Sequence, residues 1–113
     1  MSGTKALALL AAETMDARKA EDVMILEIGQ FTVVADYFVI CSAETNVQIR
    51  AISEAVAEAM EDAGARLLAQ EGHARARWVL LDFGPIVVHI FSPEARALYN
   101  LERLWADAPI LAR

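Results

Sequence analysis

The sequence predicts a single α/β domain, residues 1–113, built on a mixed sheet of about five strands flanked by helices. Helical patterns and short apolar runs alternate in the order helix, two strands, helix, three strands, helix. A chain of 113 residues has room for one hydrophobic core. It also shows no linker, internal repeat or low-complexity tract that would divide it.

The first half of the chain predicts one helix and two strands. Residues at helical spacing share one face near the amino terminus, namely Leu7, Leu10, Ala11 and Thr14. Residues 23–26 form a continuous apolar run, which is typical of a strand covered on both faces. After a break at Gly29, the β-branched and aromatic segment Tyr37–Ser42 predicts the next strand.

The second helix is marked at both ends. Gln48 follows Thr45 by three residues, the spacing of a capping box. Gly64 suits the position after the helix, because glycine adopts a positive φ without strain. Between them, apolar side chains fall on one helical face: Ile49, Ile52, Val56, Ala59, Met60 and Ala63.

A β-hairpin is predicted over residues 77–91. Two apolar segments, each long enough for a strand, flank Asp82-Phe83-Gly84-Pro85. Gly84 tolerates positive φ and Pro85 fixes its own φ, so the pair marks a turn. Strand side chains alternate between faces, so Trp78 and Asp82 should share one face and Leu81 should lie on the other.

The segments around the hairpin are less regular. Residues 66–69 predict a weak strand, and residues 71–75 predict a polar loop. Ser92-Pro93-Glu94 begins a last helix with a cap, an N1 proline and a first-turn acid. We expect the ordered part to end at residues 107–109, followed by a frayed tail.

Composition excludes several classes of protein. No apolar run approaches the ~18 residues of a membrane span. The amino terminus has no secretory or transit pattern, so we expect a cytoplasmic protein without a membrane partner. The net charge is −6, with 16 acidic and 10 basic residues. This charge argues against direct sequence-specific nucleic-acid binding and favours a basic protein partner, although ordinary solubility explains it equally well.

Few residues suggest metal or nucleophile chemistry. Cys41 is the single cysteine and is expected to be a small buried hydrophobe. His73 and His89 lie 16 residues apart without a nearby thiol, so no metal site and no cofactor are predicted. His89 sits between Val88 and Ile90, where a hydrogen-bonded core histidine is the expected role.

Asp36 and Asp82 invite an enzymatic interpretation, because two carboxylates can bind a divalent metal for phosphoryl transfer. However, the sequence contains no Asp-x-Asp or Asp-x-Glu, no glycine-rich phosphate loop and no suitably placed lysine. We therefore expect no enzyme, and interpret Asp36 as a turn or strand-end residue.

Aromatic residues suggest a binding face instead. Trp78 on a face that also carries a carboxylate is either ordinary core or a partner-binding anchor. A second cluster has helical spacing, and it either clamps the last helix onto the core or adds to the same face: Tyr99, Leu101, Leu104 and Trp105.

Three motifs in order carry a family resemblance over residues 4–109. They are Asp36-Tyr37-Phe38-Val39-Ile40-Cys41-Ser42, the hairpin, and Tyr99-Asn100-Leu101-Glu102-Arg103-Leu104-Trp105. Together they resemble the Iojap/ribosomal silencing factor family. The resemblance implies a fold like a reduced nucleotidyltransferase and a homodimer when free.

The same resemblance implies a function. Family members bind the fourteenth protein of the large ribosomal subunit and block subunit joining by steric exclusion. The implied partner-binding residues are Trp78, Leu81 and Asp82, with Tyr99 as a weaker candidate. Two alternatives stay open: a role in large-subunit assembly or maturation, and a nucleotidyltransferase-like enzyme.

Two residues depart from the family pattern. Ala43 replaces a glycine common after the Cys-Ser step, and Pro85 replaces an acid common after Gly84. The second change removes a negative charge beside the implied surface, so affinity for a basic partner should be weaker than is typical.

Overall fold

The computed structural model describes residues 3–73 and 77–112, with no side-chain description at position 73. Four helices and six strands follow one another along this part of the chain: α1 (Gly3–Ala17), β1 (Glu21–Glu27), β2 (Tyr37–Ser42), α2 (Asn46–Asp62), β3 (Ala69–His73), β4 (Trp78–Asp82), β5 (Ile86–Phe91), α3 (Pro93–Tyr99), α4 (Leu101–Leu104) and β6 (Ile110–Ala112). No helix in these residues combines the length and hydrophobicity of a membrane span.

The strands form one mixed sheet in the order β3-β4-β5-β2-β1-β6. The central pair, β2 and β5, is parallel, and every other neighbouring pair is antiparallel. The predicted hairpin is confirmed, with Trp78 opposite Phe91 and Asp82 opposite Val87. Gly84 has a φ of 89° in its turn, as the sequence predicted.

The ends of α2 explain why this helix could be predicted. The Thr45 hydroxyl accepts a hydrogen bond from the Gln48 amide at 3.1 Å. At the other end, the amide of Ala65 donates to the carbonyl of Met60 and that of Gly64 to Glu61, both at 2.9 Å. This is the Schellman arrangement, and the φ of 89° at Gly64 makes it possible.

The sheet separates two apolar clusters of unequal size. Its inner face packs against α1 and α2 and forms the larger core, which includes Ile25, Val39, Val88 and Ile90. Its outer face carries a smaller cluster around Phe38, Ile40, Val87 and Phe91, against which α4 and the segment after it pack. Because this cluster is smaller, it leaves the outward-facing side chains of β4 partly exposed to solvent.

The structure corrects three predictions about elements. The weak strand predicted at residues 66–69 lies further along the chain, since β3 begins only at residue 69. Residues 71–73 therefore belong to this strand and not to a loop, whereas residues 74 and 75 lie outside the described part. Ile110–Ala112 is a sixth strand and not a frayed tail, because it pairs with the edge of β1. The last helix is two helices, since Asn100 between them has a φ of 45°.

Candidate functional site on the outer face of β4

The side chains of β4 alternate between the two faces as predicted. Trp78, Leu80 and Asp82 are half-buried on the outer face, whereas Val79 and Leu81 are buried on the inner face. Leu81, which the family resemblance implies as a partner-binding residue, is fully buried in the larger core and is not part of the exposed surface in this structure. The other three predicted residues retain exposure to solvent.

An aromatic cluster surrounds Trp78. It comprises Phe38, Trp78, His89, Phe91, Tyr99 and Trp105. The Trp78 ring centroid lies 4.9 Å from that of Tyr99 and 5.6 Å from that of Phe91. Phe38 contacts the His89 ring edge-on at 4.7 Å. The cluster joins β2, β4, β5 and α3. Trp78 therefore packs against other rings of the outer face while part of its side chain remains exposed to solvent.

His89 holds the polar edge of the indole. The Trp78 Nε1–H donates to His89 Nδ1 at 3.2 Å. Burial lowers the pKa of His89 to about 4, so the imidazole is neutral at physiological pH. The expected hydrogen-bonded core histidine is thereby confirmed, with a partner that the sequence did not identify.

Asp82 stabilises the turn beside this surface. One of its carboxylate oxygens accepts a hydrogen bond from the Gly84 amide at 2.8 Å. This bond spans two residues, an arrangement that Asp commonly forms in turns. Asp82 is half-buried, and this hydrogen bond occupies one of its two carboxylate oxygens.

Tyr99 ends α3 and is 51% exposed, and it continues the surface away from the sheet. Leu98 and Leu104 flank it in sequence and are 78% and 71% exposed. Trp105, in contrast, is half-buried and contacts Phe38 edge-on at 5.7 Å. The sequence left two roles open for this cluster, packing on the core or adding to the binding face. Trp105 packs on the sheet, whereas Tyr99 and Leu104 are exposed to solvent.

Arg96 of α3 is a buried charged residue. Its Nη1 donates to the Asp22 carbonyl at 2.7 Å and to the Ser42 hydroxyl at 3.0 Å. Its Nε donates to Glu102 at 3.1 Å. These bonds tie α3 and α4 to the ends of β1 and β2. Sequence reasoning missed the network because two of the partners lie 54 and 74 residues away in the chain.

An open cavity of about 890 Å³ lies beside this network. Its lining includes Asp16, Glu21, Asp22, Ser42, Glu44 and Arg96. Carboxylates predominate and the one guanidinium already has Glu102 beside it, so the cavity offers little to an anionic phosphate.

The other candidates for chemistry are separated in the structure. Asp36 lies just before β2 and Asp82 ends β4, and β5 runs between these strands. Within residues 3–73 and 77–112, no three His, Cys, Asp or Glu side chains are grouped as a metal site. Cys41 is buried, and desolvation raises the pKa of its thiol to about 12, as expected of an unreactive core residue.

Comparison with known proteins places the chain among relatives of one kind. A family model described as "Ribosomal silencing factor during starvation" matches residues 2–112. A Bacillus subtilis protein named "Ribosomal silencing factor RsfS" is 40% identical, with 94% of this chain and 90% of that protein covered. The chloroplastic protein Iojap of Zea mays is 35% identical over 89% of this chain and 44% of its own length.

A solved structure agrees with these matches. A crystal structure from Chromobacterium violaceum superposes with a TM-score of 0.87 and is 29% identical, with 90% of this chain and 85% of that chain covered.

Proposed function

Since the chain belongs to the ribosomal silencing factor family, we propose that it binds the large ribosomal subunit and represses translation by preventing the two subunits from joining. The proposed partner is the fourteenth large-subunit ribosomal protein, as the family resemblance implies. One observation supports this assignment most: on the outer face, the ring of the half-buried Trp78 lies 4.9 Å from that of the half-exposed Tyr99, and Asp82 lies on the same face at the other end of β4.

The proposed contact surface consists of Trp78, Leu80, Asp82 and Tyr99. Leu80 takes the place of Leu81, because it is the leucine of β4 on the outer face. Large aromatic side chains that are fixed by their neighbours are the usual energetic centre of a protein interface. Asp82 adds a half-buried charged group on the same face, at the other end of β4 from Trp78.

Charge supports a basic partner for this surface. The chain carries a net charge of −6, and a ribosomal protein that contacts RNA is expected to be basic. Opposite charges raise the association rate and orient the encounter. Pro85 contributes no charge beside Asp82, so the attraction is weaker than an acidic residue at this position would give.

We also propose that repression involves no catalysis by this chain. The relatives are named as silencing factors, which describes a regulatory role. Asp36 lies just before β2 and Asp82 ends β4, and these two strands are not neighbours. Calorimetry with the four nucleoside triphosphates and magnesium should therefore show no binding tighter than millimolar. A micromolar site that Asp36→Asn or Asp82→Asn abolishes would contradict this proposal.

Sedimentation through a sucrose gradient tests the proposed function. The purified protein, mixed with separated ribosomal subunits, should migrate with the large-subunit peak and not with the small one. Trp78→Ala should weaken this association by at least ~2 kcal/mol, the scale of an aromatic hot spot. Because Trp78 also packs in the aromatic cluster, thermal unfolding of the variant is measured in parallel.

Val47→Ala serves as the matched control. Val47 is 70% exposed at the start of α2, the helix that covers the opposite face of the sheet. It should bind large subunits as the unmodified protein does. Equal migration with both subunits, or with neither, would refute the proposed function. Equal losses in both variants would refute the contact surface.

A further inference from the structure

The Trp78 indole is fixed on three sides. Phe91 lies directly opposite it on β5, and Tyr99 of α3 approaches to 4.9 Å. His89 occupies the diagonal position on β5, because it is two residues before Phe91 on the same face. Of these neighbours, His89 alone forms a hydrogen bond with the indole among the described residues.

The geometry of this bond determines the tautomer of His89. An indole Nε1–H is only a donor, so the accepting Nδ1 of His89 carries no proton. The proton of the neutral imidazole is therefore on Nε2. The two ring planes are 12° apart, which suits a bond whose donor and acceptor both lie in the plane of their rings. Because the imidazole stays neutral when buried, the acceptor is present throughout the physiological pH range.

Stability alone does not explain a histidine at this position. Its Nε2 is buried and has no hydrogen-bond partner among the described residues. A buried polar group without a partner destabilises a fold, whereas an apolar ring of similar size would fill the same space without that loss. The residue is only 4% exposed, so bulk solvent does not reach this nitrogen. What the histidine provides and a phenylalanine would not is an acceptor for the indole.

We propose that His89 is a positioning residue, whose Nδ1 fixes the orientation of the Trp78 indole so that the contact surface is formed before a partner arrives. The inference rests on the proposed function, since it concerns the same surface. A side chain held in its bound orientation loses less rotational freedom on binding than a mobile one does. His89 itself is too deeply buried to contact the partner.

Two substitutions distinguish the effect of the hydrogen-bond acceptor of His89 from the effect of its aromatic ring. His89→Phe keeps an aromatic ring and removes the acceptor, and His89→Asn places a carbonyl oxygen near the position of Nδ1. Both are made in a Trp105→Phe background, so that Trp78 is the one tryptophan and its fluorescence reports on its environment alone. The measurements are thermal stability, Trp78 emission and anisotropy, and affinity for large ribosomal subunits.

We expect His89→Phe to keep or raise the melting temperature, to change Trp78 emission and lower its anisotropy, and to weaken large-subunit binding about five- to tenfold, the range given by loss of one fixed side chain. His89→Asn should restore the anisotropy and part of the affinity. A purely structural role would instead make affinity follow stability in both variants.

Unchanged fluorescence and affinity in His89→Phe would overturn the inference. If His89→Phe does not fold, His89→Leu replaces it, and failure of both would also overturn the inference by showing that the histidine is required for folding. If the unmodified protein does not bind large subunits, the proposed function fails. The fluorescence of the variants still decides whether His89 fixes the indole.

Discussion

His89 makes stability depend on pH in a defined direction. Burial lowers its pKa from 6.5 to about 4, so between these values the unfolded chain binds a proton that the folded chain does not. The free energy of unfolding should therefore decrease as the pH falls through this window, by up to ~3 kcal/mol from this residue. Above the unfolded pKa, the residue adds no pH dependence.

Urea unfolding at several pH values across the window measures this effect. Carboxylates titrate in the same range, so the comparison is with His89→Phe, which retains all of them. The unmodified protein should lose more stability than the variant on acidification. If the free energies of unfolding of the two proteins changed in parallel with pH, folding would not lower the pKa of His89, which would contradict the prediction.

At the residue scale, the sequence predicted which face of the sheet a side chain lies on more reliably than which side chains it contacts. Alternation along β4 correctly put Trp78 and Asp82 opposite Leu81, yet the family resemblance assigned all three to one surface. The structure favours the alternation, since Leu81 is fully buried. The Trp78–His89 bond could not be predicted because it depends on strand register, and no local pattern specifies the diagonal partner.

The junction of α3 and α4 depends on Asn100. Its φ of 45° is left-handed, and its side-chain oxygen accepts a hydrogen bond from the Arg103 amide at 3.3 Å. Asn tolerates this conformation better than other residues with a Cβ. Asn100→Ala should therefore reduce the free energy of unfolding by about 1–2 kcal/mol.

Asn100→Gly is the control for the backbone, because glycine adopts positive φ without strain. It should lose less stability than Asn100→Ala, since it lacks only the side-chain hydrogen bond. Chemical denaturation of the three proteins gives the comparison. An alanine variant as stable as the glycine variant would mean that the left-handed conformation does not matter here.

At the scale of elements, local signals explain what could be predicted. The caps at Thr45 and Ser92 and the turn at Gly84 are each formed by residues within a few positions of one another, so the sequence shows them directly. β3 and β6 lack such signals. Ala69–His73 contains no β-branched residue, and Ile110–Ala112 is too short to show alternation. Both are edge strands whose partners fix their conformation.

The whole molecule is expected to self-associate when no ribosome is present. Leu98 and Leu104 are largely exposed apolar side chains, and Tyr99 of the contact surface follows Leu98 directly in the chain. A symmetric dimer that covers them would bury on the order of 1,200 Å² or more in total. Light scattering across a dilution series should show a change from dimer to monomer, and a constant monomer mass would contradict the prediction.

If the dimer uses the contact surface, dissociation must precede binding to the ribosome, and Trp78→Ala should weaken both associations. A crosslinked dimer tests this version directly. It should bind large subunits much more weakly than the uncrosslinked protein. Binding at full strength would show that the dimer and the ribosome use different faces.

At this scale the α/β class and the mixed sheet were predictable, because the order of helical and strand patterns determines them. The strand order was not, since the parallel pairing of β2 with β5 joins segments separated by α2 and the hairpin. Family membership was predictable from three motifs in order, but these motifs do not specify which side chains reach the surface.

Subunit joining, measured in the presence of the protein, tests the central claim most directly. Separated large and small subunits are mixed at a magnesium concentration that favours joining, and light scattering follows the formation of joined ribosomes. We predict that joining falls in proportion to added protein until one copy is present per large subunit. Trp78→Ala should require a much higher concentration, and Val47→Ala should act as the unmodified protein does. Joining that proceeds undiminished while the protein is bound to the large subunit would contradict repression by steric exclusion.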